Sequence, residues 1–296
     1  MALPLTTSHS FSAAIPEPGE PATRTAAVTL SSGRRMTFDR HGESGPAVLL
    51  LHGIPGWRGT FAEVARRLGR RCRVFAPDLL GFGDSDDPPP RAHAAEQAEA
   101  VLELAGALGL ERFHLAGFDF GGPTAVLAAG RAPGRVLSLT VAATNLFPDT
   151  PIPFPLGLAK VPVLGDLFFR VAFGRAGLSM MWRAAAADRA AFPFARYGAA
   201  LRFPRGVSWT RRILLASLRD LPGLYGEVER TAQSLSVPSL VVWGGRDPFF
   251  PVQVGERTAR ALRARFTPLE GCGHFVPEER PAELAEGILD LVARGG

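Results

Sequence analysis

The chain of 296 residues predicts an α/β fold: a mostly parallel central sheet flanked by helices, with an inserted helical cap. Three observations lead there. Short apolar runs alternate with segments of helical period over most of the chain, the rhythm of strands joined by crossover helices. One run passes through a small-residue turn, Gly117-Phe118-Asp119-Phe120-Gly121, directly into an alanine-rich, helix-favouring segment. The rhythm then stops between Leu146 and Ser236, where prolines crowd and aromatic and arginine-rich helical stretches follow.

Taken in order, residues 1–25 are rich in Pro, Ser, Thr and Ala and read as a flexible tail. Ala27 to Leu30 and Arg35 to Phe38 read as strands joined at Ser31-Ser32-Gly33. Ala47 to Leu51 is apolar throughout, as expected of a strand covered on both faces. It ends in His52-Gly53-Ile54-Pro55. Phe61 to Leu68 has helical period, Arg73 to Ala76 is a strand, and Ala94 to Leu108 a helix. Phe113 to Ala116 and Val136 to Ala143 are the strands on either side of the Asp119 turn and its helix. After the insertion, Leu240 to Trp243 and Phe266 to Leu269 resume the strand pattern, with helices over Val252 to Leu262 and Ala282 to Val292. Residues 26–145 and 237–296 therefore form the core, and 146–236 the helical cap domain.

Composition narrows the function. A hydrophobic content of 46% supports one large domain, or one domain carrying an insertion. No apolar run approaches the roughly 18 residues that span a bilayer, and the opening segment lacks the basic and apolar regions of a signal peptide. The expectation is a cytoplasmic protein with no membrane partner. The net charge of +5 comes from arginine, with Lys160 the one lysine. The clustered Arg66, Arg67, Arg70 and Arg71 read as a solvated helix face, so no nucleic-acid partner is expected. Cys72 and Cys272 make no metal pattern, and no cofactor or metal is implied.

Asp119 is the most informative residue. A strand-to-helix turn with small residues on both sides is where a nucleophile is presented on a strained backbone. A carboxylate in that position suits displacement at saturated carbon rather than acyl transfer. The plainer reading is a glycine-rich turn whose Asp caps the helix. His52, Asp78 and Asp84 read as bracing their loops.

The His52-Gly53-Ile54-Pro55 loop, the Gly81 to Ser85 loop, the Asp119 turn, Gly245-Arg246-Asp247 and Gly273-His274-Phe275 together resemble the α/β-hydrolase family, from about Ala26 to Val292. An Asp at the turn is similar to the epoxide hydrolase and haloalkane dehalogenase branch. The resemblance implies a catalytic set of Asp119 as nucleophile, His274 as base and Asp247 as its acid partner. The backbone N–H groups of Ile54 and Phe120 would form the oxyanion hole. Asp149 and Asn145, after the next strand, stand where some relatives place the acid, and rank behind Asp247.

The two halves of that branch differ in how the leaving group is stabilised. Haloalkane dehalogenases usually carry Trp after the nucleophile and often Asn in the His-Gly-x-Pro loop. This chain has Phe120 and Ile54, whose side chains donate nothing. Fluoroacetate-type enzymes tend to have Arg after the nucleophile. Epoxide hydrolases use cap tyrosines, and the chain has two, Tyr197 and Tyr225. The family's tyrosine position aligns by eye with Leu218, and Pro222-Gly223 is expected to break the helix before Tyr225. Trp182 is a further pocket candidate through its indole N–H. Epoxide hydrolysis leads and dehalogenation is the alternative. Ester or lactone hydrolysis, and ligand binding without turnover, also stand open. The phenylalanines of the insertion (Phe147, Phe154, Phe168, Phe169, Phe173, Phe192, Phe194) imply a small apolar substrate, with water as the second reactant.

Overall fold

The computed structural model describes residues 23–151, 164–201 and 206–294. Its strands are β1 (Arg24–Thr29), β2 (Arg35–His41), β3 (Ala47–Leu51), β4 (Arg73–Pro77), β5 (Phe113–Phe118), β6 (Val136–Ala142), β7 (Ser239–Gly244) and β8 (Arg265–Leu269). They form one sheet in the order β1-β2-β4-β3-β5-β6-β7-β8. β1 and β2 are antiparallel to their neighbours, and the pairs from β4 to β8 are parallel.

The uniform apolarity of Ala47 to Leu51 has a direct cause: β3 lies between β4 and β5, and all five of its residues are buried. Alternate side chains feed two separate cores. Leu49 and Leu51 join Phe38, Phe113 and Val126 on one face, while Val48 and Leu50 join Phe61, Val64 and Leu68 on the other. Burying each such side chain contributes roughly 1.5–3 kcal/mol. A charge on either face of this strand would bring an uncompensated desolvation cost. On the first face lie α2 (Ala94–Ala107) and α3 (Gly121–Arg131); on the second lie α1 (Ala62–Leu68) and, at the chain's end, Pro281–Arg294.

Between β6 and β7 the chain forms helices α4 (Leu164–Ala172), α5 (Arg175–Ala185), α6 (Phe194–Tyr197), α7 (Gly206–Arg219) and α8 (Gly226–Ser234). After β7 come α9 (Val252–Leu262), then α10 (Val276–Glu279) and α11 (Pro281–Arg294). The expected helix break at Pro222-Gly223 takes another form. The chain makes a wide π-type turn over Leu221–Tyr225 and passes straight into α8. Pro222 stands in the first turn after Asp220, where a missing N–H costs nothing, and the Leu224 N–H still reaches the Asp220 carbonyl at 2.9 Å. Phe154 and Lys160 lie outside the described residues. No helix among the described residues is long and apolar enough to cross a membrane.

Candidate active site

The parallel strands direct their carboxyl ends to one edge of the sheet, where crevices form in open α/β folds. Asp119 follows β5 there, with φ at +51°, a left-handed conformation that a side chain rarely adopts. Packing enforces it. A Cβ on Gly117 would strike the Gly121 carbonyl, and one on Gly121 would strike the Leu51 carbonyl. The Asp119 N–H donates to the Ala142 carbonyl at 3.1 Å, and the Thr144 hydroxyl donates to the Asp119 carbonyl at 2.6 Å. The glycines flanking the turn are thus a steric requirement, which is why they could be read from the sequence.

The two carboxylate oxygens of Asp119 have different surroundings. Oδ1 accepts the Ile54 N–H at 2.7 Å, and the Phe120 N–H also bonds this carboxylate. Oδ2 lies 3.7 Å from Nε2 of His274. His274 Nδ1 meets Asp247 Oδ2 at 2.8 Å. Because a carboxylate only accepts, Nδ1 carries the proton, and in neutral His274 the Nε2 lone pair faces Asp119. Asp247 is itself fixed, its Oδ1 accepting the Phe249 and Phe250 N–H groups at 2.8 and 3.1 Å. That turn, with Asp bonding the amides just ahead of it, is a feature that the Asp-Pro sequence signals.

Burial raises the pKa of Asp119; the His274 charge and the two amide N–H groups oppose the rise. Burial would lower that of His274, ringed by Phe118, Phe249, Phe250 and Phe275. The carboxylates of Asp247 and Asp119 reverse this, and the net shift is upward.

Asp119 and His274 open into a cavity of about 480 Å³. Its walls are mainly apolar: Ile54, Phe120, Phe168, Phe173, Met181, Leu214, Leu218, Phe249 and Phe250 among them. The profile of the alpha/beta hydrolase fold matches residues 46–281, most of the chain. The chain belongs to the α/β-hydrolase family. Among its relatives is Haloalkane dehalogenase 2 of Mycobacterium tuberculosis, 30% identical over 270 residues, which span 88% of this chain and 92% of that one. The Fluoroacetate dehalogenase of a Burkholderia species is 45% identical over 105 residues, 34% of either chain. Of solved structures, epoxide hydrolase CorEH superposes with a TM-score of 0.73 at 22% identity, covering 92% of this chain and 99% of its own. Haloalkane dehalogenase DbeA from Bradyrhizobium elkani gives 0.75 at 18%, covering 92% and 100%. These two likenesses establish the fold.

Within this hydrolase the remaining candidates separate clearly. Tyr197 and Tyr225 both line the cavity, and both are buried. Burial and then the Asp119 charge push both phenols above their ordinary pKa, so they stay protonated. Trp182 does not line the cavity; its indole N–H is donated to the Phe192 carbonyl at 2.8 Å while the ring packs on Phe194. Its indole is a packing group, ten residues from its acceptor, and carries no free donor for a substrate. Of the phenylalanines of the insertion, Phe168 and Phe173 reach the cavity, whereas Phe147 is buried in the core under the guanidinium of Arg257.

His52 is a brace. Its ring bonds the Gly53 carbonyl at 2.9 Å and accepts the Leu79 N–H at 3.0 Å, and burial lowers its pKa to about 4, keeping it neutral. Asp78 gathers the Arg58 guanidinium and the N–H groups of Arg58 and Asp84. Asp149 pairs with Arg257 at 2.7 Å on the surface, and Asn145 spends its amide on Phe147 and Thr150. Cys72 and Cys272 are buried, and among the described residues no group of His, Cys, Asp and Glu could hold a metal ion.

Proposed function

We propose that this hydrolase opens small apolar epoxides through a covalent ester on Asp119. The observation that carries the reading is that Tyr197 and Tyr225 share the cavity with Asp119 and have no hydrogen-bond partner among the described residues. The other polar groups of the lining are committed: Ser217 donates to the Ile213 carbonyl, Thr150 to Asn145, and Asn145 to the Phe147 carbonyl. Two protonated phenols in an apolar pocket are the donors an opening epoxide oxygen needs.

In the first step Oδ2 of Asp119 bonds to an epoxide carbon, the ring C–O bond breaks, and a tyrosine hydroxyl protonates the released oxygen. Oδ1 becomes the ester carbonyl, already held by the Ile54 amide, with the Phe120 amide also at this carboxyl group. In the second step water adds to Cγ of Asp119 while His274 Nε2 takes its proton. The amides then bind the oxyanion, and Asp247 stabilises the imidazolium. Collapse breaks the Cγ–O bond to the alkyl group, His274 returns the proton to that oxygen, the water's second proton passes from the regenerated Asp119 carboxyl to the tyrosinate, and a diol leaves. The helices between β6 and β7 act as the cap that excludes bulk water.

The second reading is dehalogenation, favoured by the relative of that name at 30% identity. Against it, Trp182 has no indole N–H to spare, and Ile54 and Phe120 offer a halide only backbone donors already used by Asp119. Replacing His274 with Gln, incubating with mixed epoxides and haloalkanes, and weighing the intact protein tests the choice. A gain of a whole epoxide supports the proposal. A gain of the haloalkane less its hydrogen halide makes the enzyme a dehalogenase, and no adduct with either rejects the Asp119 ester.

A further inference from the structure

Three consecutive residues at the end of α10 face the inserted helices, and the mechanism above uses none of them. Glu279 is 2% exposed and holds four backbone N–H groups. Its Oε2 accepts from Ala187 at 2.9 Å, Asp188 at 2.7 Å and Gly273 at 3.1 Å; its Oε1 accepts from Phe275 at 3.2 Å. Two of these amides flank His274 on either side, and two belong to the segment that follows α5. The His274 N–H itself donates to the Ala185 carbonyl at 2.8 Å. Gly273 is wedged so closely that a Cβ would meet that same carbonyl.

Glu278, 7% exposed, forms an ion pair with Arg196, the residue before Tyr197. Burial raises its pKa to about 8, with the Arg196 charge opposing. Arg280 adds an ion pair to Asp188 at 2.8 Å. Buried carboxylates are rarely kept without a task, because each must have its lone pairs satisfied by fixed donors. Among the described residues, the donors to Glu279 come from the His274 loop and the inserted segment over it, and Glu278 has the Arg196 guanidinium of that segment opposite it.

We infer that Glu279 and Glu278 are positioning residues that join the inserted helices to two of the proton-handling groups of the site, Glu279 setting His274 and Glu278, through Arg196, setting Tyr197. The inference rests on the proposed Asp119 ester mechanism. It separates the two steps. Glu279 governs ester hydrolysis, which needs His274 in line with a water; Glu278 governs ring opening, which needs Tyr197.

The test is rapid quench with intact-mass detection on the full-length enzyme and an epoxide, both rate constants being normalised to the fraction of protein that becomes alkylated. Glu279→Gln loses acceptor capacity, since its NH2 cannot receive an N–H. Ester hydrolysis should slow about 10- to 100-fold while alkylation stays within a few-fold, so the adduct accumulates in the steady state. Glu279→Asp, with its oxygens drawn back by one methylene, should show the same bias in weaker form and replaces the first variant if that one does not fold. Glu278→Gln, assayed above the Glu278 pKa of about 8 where the carboxylate is ionised and pairs with Arg196, should show the opposite bias, slowing alkylation more than hydrolysis. Equal slowing of both steps in these variants, or the wild-type ratio, overturns the inference. If His274→Gln forms no adduct, it is the Asp119 reading that has failed.

Discussion

Asn in place of Asp247 gives the enzyme a side chain of the same shape that cannot serve His274. The two amides of Phe249 and Phe250 bond Oδ1 at 2.8 and 3.1 Å, so the oxygen of Asn must take that side. Its NH2 then faces His274 Nδ1, at the 2.8 Å position the carboxylate oxygen held, and the ring must place its proton on Nε2. The base is lost at the atom that faces Asp119. The charge is lost as well. A carboxylate whose centre lies about 4 Å from an imidazolium interacts with it by about 4 kcal/mol at an effective dielectric of about 20. That corresponds to about a thousandfold in the step that forms the imidazolium. Attack by Asp119 on the epoxide forms no imidazolium and should change by less than tenfold. Rapid quench and intact-mass measurement read both steps: the variant should show a burst of full alkylation, then hydrolysis about a thousand times slower. Hydrolysis within tenfold of wild type, or a loss that falls on alkylation, would refute the reasoning.

Tyr197→Phe and Tyr225→Phe should each slow epoxide alkylation by about 10²–10³ and leave hydrolysis of the formed ester unchanged, since general-acid assistance acts only on ring opening; single-turnover kinetics separate the two. Hydrolysis of the ester should fall as pH drops through the pKa of His274, which the carboxylates hold above its ordinary value in the free enzyme. Alkylation neutralises Asp119, one of those charges, so the acid limb of hydrolysis should lie at lower pH than the His274 titration followed by NMR in the free enzyme. Gly121→Ala should destabilise the fold by about 1–3 kcal/mol, because the Leu51 carbonyl occupies the space of the added methyl. A melting temperature equal to wild type would show that β3 and α3 can move apart.

Residues whose identity follows from local sterics were legible in the sequence. Gly117 and Gly121 flank Asp119 because neighbouring carbonyls leave no room, and Ala47 to Leu51 is apolar because both faces of β3 are covered. Tyr197 and Tyr225 could be named from the sequence as pocket candidates, but what aims the aromatic residues of the insertion was not legible, because tertiary packing places them. Tyr197 sits on a single turn of helix and is aimed by its contacts with Phe192 and Phe275. Tyr225 is carried into the cavity by a π-type turn that Pro222 disguised as a break. Trp182 offered a donor on paper, and the fold had already matched it to a carbonyl on the same segment. Glu279 gave no signal at all: its partners are backbone amides contributed by residues about ninety positions away and by the adjoining loop.

The covalent role of Asp119 is tested most directly by one turnover of excess enzyme with an epoxide in ¹⁸O-labelled water. If water attacks Cγ of the Asp119 ester, the label enters the carboxylate of Asp119, found in the peptide that contains it, and the first diol carries unlabelled oxygen from the protein. Label in the first diol, with Asp119 unlabelled, would mean that water attacks the epoxide itself and would contradict the ester mechanism.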